Sequence, residues 1–364
     1  MKTKQYAALA MVCALLAPTL GNAKAMVQEG LEGRGLFPDF IPFDLTQAEF
    51  AEGVAVDKVG NVFVSLGAST GPRGAILQFA PSGEKSVLVD FGTPGALGLA
   101  VDAGGDVYVA RNIAPNNGVY RVDRQGRAVR LPGTEQIALP NALAFDNRGN
   151  LYVTETFSFD PPLVPYPNGF APAFGRGGIW RIPKRGPAEL WLRDDLLTGL
   201  GPTLFPYPVG ANGIAFYHGD LYVINTDQAR VVRVPVRHHG RPGEPEVWKQ
   251  VADVPESIFY ENPFIPLLLD GLALDVHGNV YIAVPSRAAI VRINAEDRSQ
   301  ETLAAYPVDP LDAPLSVAFG TGQGERASLF ISNGGLSAGI VPGLPWDGPG
   351  LLKIEVGIPG LPLP

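Results

Sequence analysis

Five segments of this 364-residue chain share one short phrase, and a sixth carries a weaker copy of it. EGVAVD at 52–57 precedes GNVFV at 60–64. LGLAVD at 97–102 precedes GDVYV at 105–109. NALAFD at 141–146 precedes GNLYV at 149–153. NGIAFY at 212–217 precedes GDLYV at 219–223, and DGLALD at 270–275 precedes GNVYI at 278–282. The weaker copy is LSVAFG at 315–320 with SLFI at 328–331. Self-similarity at such a period means that one supersecondary unit is stacked several times over.

Each phrase reads as an apolar strand, a turn built from Asp, Gly and Asn, and a second strand rich in Val and aromatics. That is the pattern of a β-hairpin. The first strand is apolar on both faces, which suits a strand packed between neighbouring sheets. A third strand follows at 75–79, 119–122, 178–182, 231–234, 290–293 and 351–354, and a fourth at 86–89 and 189–192. Four strands make one propeller blade, and blades of this kind run to about 40–45 residues. Successive first positions lie 45, 44, 71, 58 and 45 residues apart, so two blades carry insertions. The 44 Gly and 35 Pro fit an all-β chain with many tight turns. The expected fold is therefore a six-bladed β-propeller with four-stranded blades around a central channel. The last copy has three clear strands. Residues 26–50 are expected to supply its fourth and close the ring, within a single domain over 26–364.

Residues 1–25 read as an export signal. Lys2 and Lys4 precede an apolar run from Ala8 to Leu20, and AKA at 23–25 offers small residues for signal peptidase. That run is too short to span a bilayer, and no later segment qualifies as a span. The single cysteine, Cys13, lies inside it, so a processed chain holds no disulfide, thiolate metal site or cysteine nucleophile. Without the three lysines of 1–25, 25 Lys and Arg face 36 Asp and Glu, a net charge near −11. This balance disfavours nucleic acid and anionic membrane as partners. A periplasmic or secreted protein acting on a small molecule is expected.

The first position of each copy carries the chemistry. These residues are Glu52, Leu97, Asn141, Asn212, Asp270 and Leu315. Inner strands run along the channel, so equivalent positions form a ring at its mouth. Two carboxylates and two amides converging on one axis suit a hard divalent cation, Ca²⁺ first, Mg²⁺ and Mn²⁺ next. Zn²⁺ is a further alternative, although no His or Cys stands on the ring. Asn and Asp also begin strands as turn residues. A turn preference, however, would select similar residues at one register, and here Glu fills it once and Leu twice.

The phrases Glu52-Gly53, ANGIAF at 211–216 with LYV at 221–223, and LDGLAL at 269–274 with GNVY at 278–281 resemble the senescence marker protein / gluconolactonase / luciferin-regenerating enzyme family. The resemblance covers about residues 45–356. It implies a six-bladed propeller with one divalent cation in the channel, held by Glu52, Asn212 and Asp270, and a substrate-contacting Asn141. The family's sugar-lactone hydrolases carry an Arg two residues before that Asn. Leu139 stands there instead, which argues against a sugar acid as substrate.

Four long segments, 157–176, 195–211, 255–269 and 333–349, all fall on the ring's face and are rich in Pro, Phe, Leu and Tyr. They suggest a lipophilic or aromatic ligand; the alternative is that they pack on one another to exclude water. Glu155 and Asp227 are read as solvated rim carboxylates, with auxiliary acid–base work as the alternative. GASTG at 67–71 matches a nucleophile elbow around Ser69 but lacks the helix that motif needs. His218, His238, His239 and His277 all fall in outer hairpin turns.

The expected function is metal-dependent hydrolysis of a lactone or other ester. The cation would polarise the carbonyl, Asn141 would orient the substrate oxygen, and Asp270 would accept a proton from water, as the resemblance implies. The alternative is a non-catalytic extracytoplasmic propeller serving as a ligand-binding or pathway accessory module. Relatives of strictosidine synthase place their catalytic carboxylate in the last blade, and Leu315 argues against that reading.

Overall fold

Each repeated phrase forms the inner hairpin of a four-stranded antiparallel sheet in a computed structural model that describes residues 41–43, 49–67, 73–160, 174–200, 207–257, 266–335 and 349–363. Blade one comprises Ala51–Val56, Val62–Leu66, Ala75–Phe79 and Lys85–Asp90. Blade two comprises Ala96–Val101, Val107–Arg111, Gly118–Val122 and Ala128–Arg130. Pro140–Phe145, Leu151–Glu155, Gly178–Ile182 and Glu189–Arg193 make blade three. Ala211–Tyr217, Asp220–Asn225, Arg230–Pro235 and Glu246–Gln250 make blade four. Blade five is Leu272–Leu274, Val280–Val284, Ala289–Ile293 and Gln300–Ala305. Blade six is Pro314–Phe319, Ser328–Asn333 and Gly350–Glu355, with Ile41–Pro42 as its fourth strand. Each inner strand packs against the next, and that of blade six returns to that of blade one. The expected six-bladed propeller is the observed fold.

The turn chemistry is visible in the sequence. Asp57 Oδ1 accepts the backbone N–H groups of Val59 at 3.0 Å and Asn61 at 2.9 Å, while Asn61 Nδ2 donates to Oδ2 at 2.7 Å. Asp146 with Asn150 and Asp275 with Asn279 repeat this arrangement. The intervening Gly60, Gly149 and Gly278 adopt φ of 92°, 78° and 82°, which glycine reaches without a Cβ penalty. The D-x-x-G-N phrase is thus a self-satisfied hairpin turn.

Apolar clusters fill the interfaces between successive blades. One joins Val231 and Trp248 of blade four to Leu272 and Val291 of blade five. Others join blades five and six, two and three, three and four, and one and two. The cluster at the seam joins Val54, Val64 and Leu77 of blade one to Phe43 and Leu351. Second strands are sandwiched on both faces, and Val62–Leu66 and Val280–Val284 are buried throughout.

Ile41 pairs with Leu351 and Pro42 with Gly350, and Phe43 N–H donates to Pro349 O at 2.8 Å. Phe43 also stacks on Phe79 of blade one, with centroids 5.8 Å apart. Residues 1–25 and most of 26–50 lie outside the described residues, as does Ser69. No helix among the described residues is long and apolar enough to cross a membrane.

Candidate functional site at the channel mouth

The ring residues of blades one to four sit in β-bulges. Pairing of the inner strand with the second breaks between Ala51 and Val54, Ala96 and Leu99, Pro140 and Leu143, and Ala211 and Ile214. Glu52, Leu97, Asn141 and Asn212 are each the first residue inside such a break. A bulge re-aims a side chain that would otherwise follow strand alternation. In blade five, Asp270 precedes the inner strand, and its N–H donates to Ala283 O at 3.0 Å.

Backbone contacts hold the six positions side by side. A Cβ on Gly53 would lie 2.6 Å from Leu97 O, one on Gly98 2.6 Å from Asn141 O, and one on Gly213 2.5 Å from Asp270 O. Gly271 N–H donates to Leu315 O at 2.8 Å. Hydroxyl groups make two further links: Thr154 Oγ1 donates to Asn212 O at 2.7 Å, and Ser332 Oγ donates to Glu52 O. The order around the mouth is Glu52, Leu97, Asn141, Asn212, Asp270, Leu315. The glycines after the ring residues are needed for this close approach between blades. None of Gly53, Gly98, Gly213 and Gly271 has a positive φ, so close approach and not a turn is what glycine serves there.

Electrostatics bring three of the predicted residues together. Burial pushes the Glu52 carboxyl up to about 7. Asp270 stands well above the usual carboxylate range, first through burial and then through the charge of Glu52, partly offset by hydrogen bonding from Asn212. Two carboxylates that repel in a low-dielectric channel favour either a shared proton or a cation. Asn212 Nδ2 also donates to Thr226 Oγ1 at 3.0 Å, and Asn141 Nδ2 to Thr156 Oγ1 at 3.1 Å. Leu97 is buried in the cluster between blades two and three. Among the described residues no three His, Cys, Asp or Glu side chains gather as a metal cluster. The ring's donors are two carboxylates and two amides.

Glu155 is not a solvated rim carboxylate. It is 1% exposed. Its Oε2 meets Arg193 Nη1 at 2.7 Å and accepts from Trp180 Nε1 at 2.9 Å, while Oε1 accepts the Ala138 N–H at 2.6 Å. Burial raises its pKa, opposed by Arg193 and these donors. Asp227 Oδ2 likewise accepts the Val209 N–H at 2.9 Å and fixes the chain leading into Asn212. Both carboxylates position mouth loops. All four histidines lie in hairpins at the end of the blades opposite the ring.

Two of the long segments meet at the mouth. Phe157 packs on Phe174 with centroids 4.6 Å apart, on Phe159 at 5.5 Å and on Tyr207 at 5.4 Å. Phe157 and Phe174 are buried and Phe159 is exposed. The remainder of these segments, 161–173, 201–206, 258–265 and 336–348, lies outside the described residues.

The family model described as "SMP-30/Gluconolactonase/LRE-like region" matches residues 209–334. These residues form an SMP-30/gluconolactonase-like region. It spans the inner strands of blades four to six and contains Asn212 and Asp270. Solved structures resemble the whole propeller. A gluconolactonase from Xanthomonas campestris is 20% identical with a TM-score of 0.57, over 86% of this chain and 87% of its own. A putative gluconolactonase is 16% identical with a TM-score of 0.61, over 92% and 97%. Regucalcin from Agrobacterium tumefaciens, described as a calcium-binding protein, is 17% identical with a TM-score of 0.58, over 89% and 97%. At these identities the likeness is one of fold. No curated protein matches the chain. Glu52 and Asn141 lie outside the matched region.

Proposed function

We propose that this propeller is a divalent-metal-dependent hydrolase of a lactone or other ester, with a lipophilic rather than a sugar-acid substrate. The observation that carries the reading is the convergence of Glu52 and Asp270 with Asn212, where burial raises both carboxyls and the charge of Glu52 raises Asp270 further. Their oxygen-only chemistry fits Ca²⁺ best, with Mg²⁺, Mn²⁺ and Zn²⁺ as alternatives. Glu52, Asn212 and Asp270 would hold the ion, leaving the remaining coordination to water and substrate. When bound, the ion would polarise the carbonyl and favour the developing oxyanion.

The protein's own groups supply the rest. Asn141 stands on the ring beside Asn212 and orients the substrate oxygen. Asp270 takes a proton from the attacking water. Leu139 in place of a cation, together with Phe159 and the aromatic group around Phe157, supports a lipophilic acyl or alcohol portion. The leader-like residues 1–25 support export, which N-terminal sequencing of the protein from an extracytoplasmic fraction would test.

The deciding experiment joins metal content, calcium calorimetry and a panel of lactones and aryl esters. Asp270→Asn should lose calcium binding and turnover together. Asn141→Ala should keep calcium and lose turnover. Calcium binding with no cleavage across the panel would favour a ligand-binding module. A wild-type protein that binds no divalent cation would end the metal reading.

A further inference from the structure

The residue just after each second strand is Gly67, Asn112, Thr156, Thr226, Pro285 and Gly334 in blades one to six. The ring residues of the same blades are Glu52, Leu97, Asn141, Asn212, Asp270 and Leu315. Threonine stands where the ring residue is asparagine and nowhere else. A carboxylate presents oxygen whichever way it turns, whereas an amide presents oxygen on one side and N–H on the other. Only the two amide blades need a group that chooses the side.

The hydrogen bonds make that choice. Thr156 Oγ1 donates its single hydrogen to Ala211 O at 3.0 Å. It therefore meets Asn141 as an acceptor, and the Asn141 nitrogen, 3.1 Å away, faces it. The Asn141 oxygen then points away from the threonine. Thr226 Oγ1 accepts from Asn212 Nδ2 at 3.0 Å, and Asp270 also takes hydrogen bonding from this amide, so the Asn212 oxygen points away from both. Both threonines are buried, at 1% and 4% exposure, so water does not compete for the amide hydrogens. Thr156 also ties the two amides together, because Ala211 immediately precedes Asn212.

We infer that Thr226 and Thr156 are positioning residues that turn the amide oxygens of Asn212 and Asn141 onto the ring. For Asn212 this deepens the cation reading, on which the affinity arm of the test rests; the spectroscopic arm is independent of it. The proteins compared are wild type, Thr226→Val, Thr226→Ser and Thr156→Val, each with ¹⁵N-labelled asparagine. Calcium affinity is read by calorimetry, and the exchange of the side-chain amide hydrogens with solvent by NMR. Thr226→Val should weaken calcium binding about 10–100-fold, as loss of a group orienting a ligand does, and Thr226→Ser should restore it. Thr156→Val should stay closer to wild type in affinity and alter only the Asn141 amide signals. Wild-type affinity in Thr226→Val would overturn the inference. If the wild type binds no calcium, the cation reading falls and the amide signals decide. Protection of the Asn212 amide lost in Thr226→Val and kept in Thr226→Ser would support the inference. Asn212 hydrogens that exchange in the wild type as fast as exposed amides would overturn it, even if Thr226→Val fails to fold.

Discussion

Glu52 raises the carboxyl of Asp270 across the channel mouth, and burial raises both. Around pH 7 the pair conflicts unless a proton or a cation sits between them. The folded state thus binds more protons than the unfolded chain between the ordinary glutamate value of 4.5 and about 7. Stability contributed by this group is present below that window and declines as pH rises through it. Without divalent cations, the melting temperature should fall from pH 5 to pH 8. Calcium should suppress the fall, and at a hundredfold excess over its dissociation constant should stabilise by about 2.7 kcal/mol. Its affinity should rise through pH 7, because the cation displaces protons. Calorimetric melts in chelator and in calcium across this range check it; a flat chelator curve would remove the charge conflict.

Glu155 and Arg193 should matter for stability and not for the cation. Removing Glu155 leaves a buried indole N–H and a backbone N–H without their acceptor, and leaves Arg193 to Asp160 and the Arg176 carbonyl alone. Glu155→Ala is expected to cost about 3–5 kcal/mol, the range for breaking a buried pair, and Glu155→Gln less. Urea denaturation measures the loss. Calcium affinity of the folded fraction should stay near wild type, and a large drop would return Glu155 to the site.

The strand at Ile41–Pro42 closes blade six, so deleting residues up to 43 should leave Gly350–Glu355 with an open edge. Phe43→Ala isolates the packing part of this effect, because the ring is buried against Phe79 and the seam cluster. A cost of about 3 kcal/mol is expected. Thermal melts and light scattering of both variants test the point. If both melt like the intact protein, closure owes little to this segment.

The repeat made the fold legible because each blade uses the same local rules: apolar inner strand, Asp-Gly-Asn turn, sandwiched second strand. It also put Glu52, Asn141, Asn212 and Asp270 at one register, and the structure gathers that register at one mouth. What escaped was set by partners far along the chain. Glu155 looks like a rim carboxylate until Arg193 and Trp180 of the same blade fold over it. Within 26–50, the segment expected to close the ring, the two-residue strand at 41–42 has no periodicity to mark its place. Fourth strands such as Ala128–Arg130 and Glu246–Gln250 are short or polar, so their pattern is weak. The threonines did leave a signal, at 156 and 226, in the blades whose ring residue is an amide. It becomes meaningful only once the hydrogen bonds give it a direction.

Gly213 links packing to the site, and its replacement should damage both. An added Cβ would meet Asp270 O at 2.5 Å, with Gly271 Cα and Leu272 N at 3.0 Å, all backbone atoms that cannot swing aside. Gly213→Ala must push blade four away from blade five. Overpacking of this kind costs about 1–3 kcal/mol, and here it separates Asn212 from Asp270. Gly219→Ala is the matched control. Its φ of 91° strains an alanine, yet nothing lies within 4 Å of the new Cβ. Both variants should melt lower than wild type. Only Gly213→Ala should also weaken calcium binding. Equal calcium affinity in the two would mean that the spacing between blades four and five does not set the site.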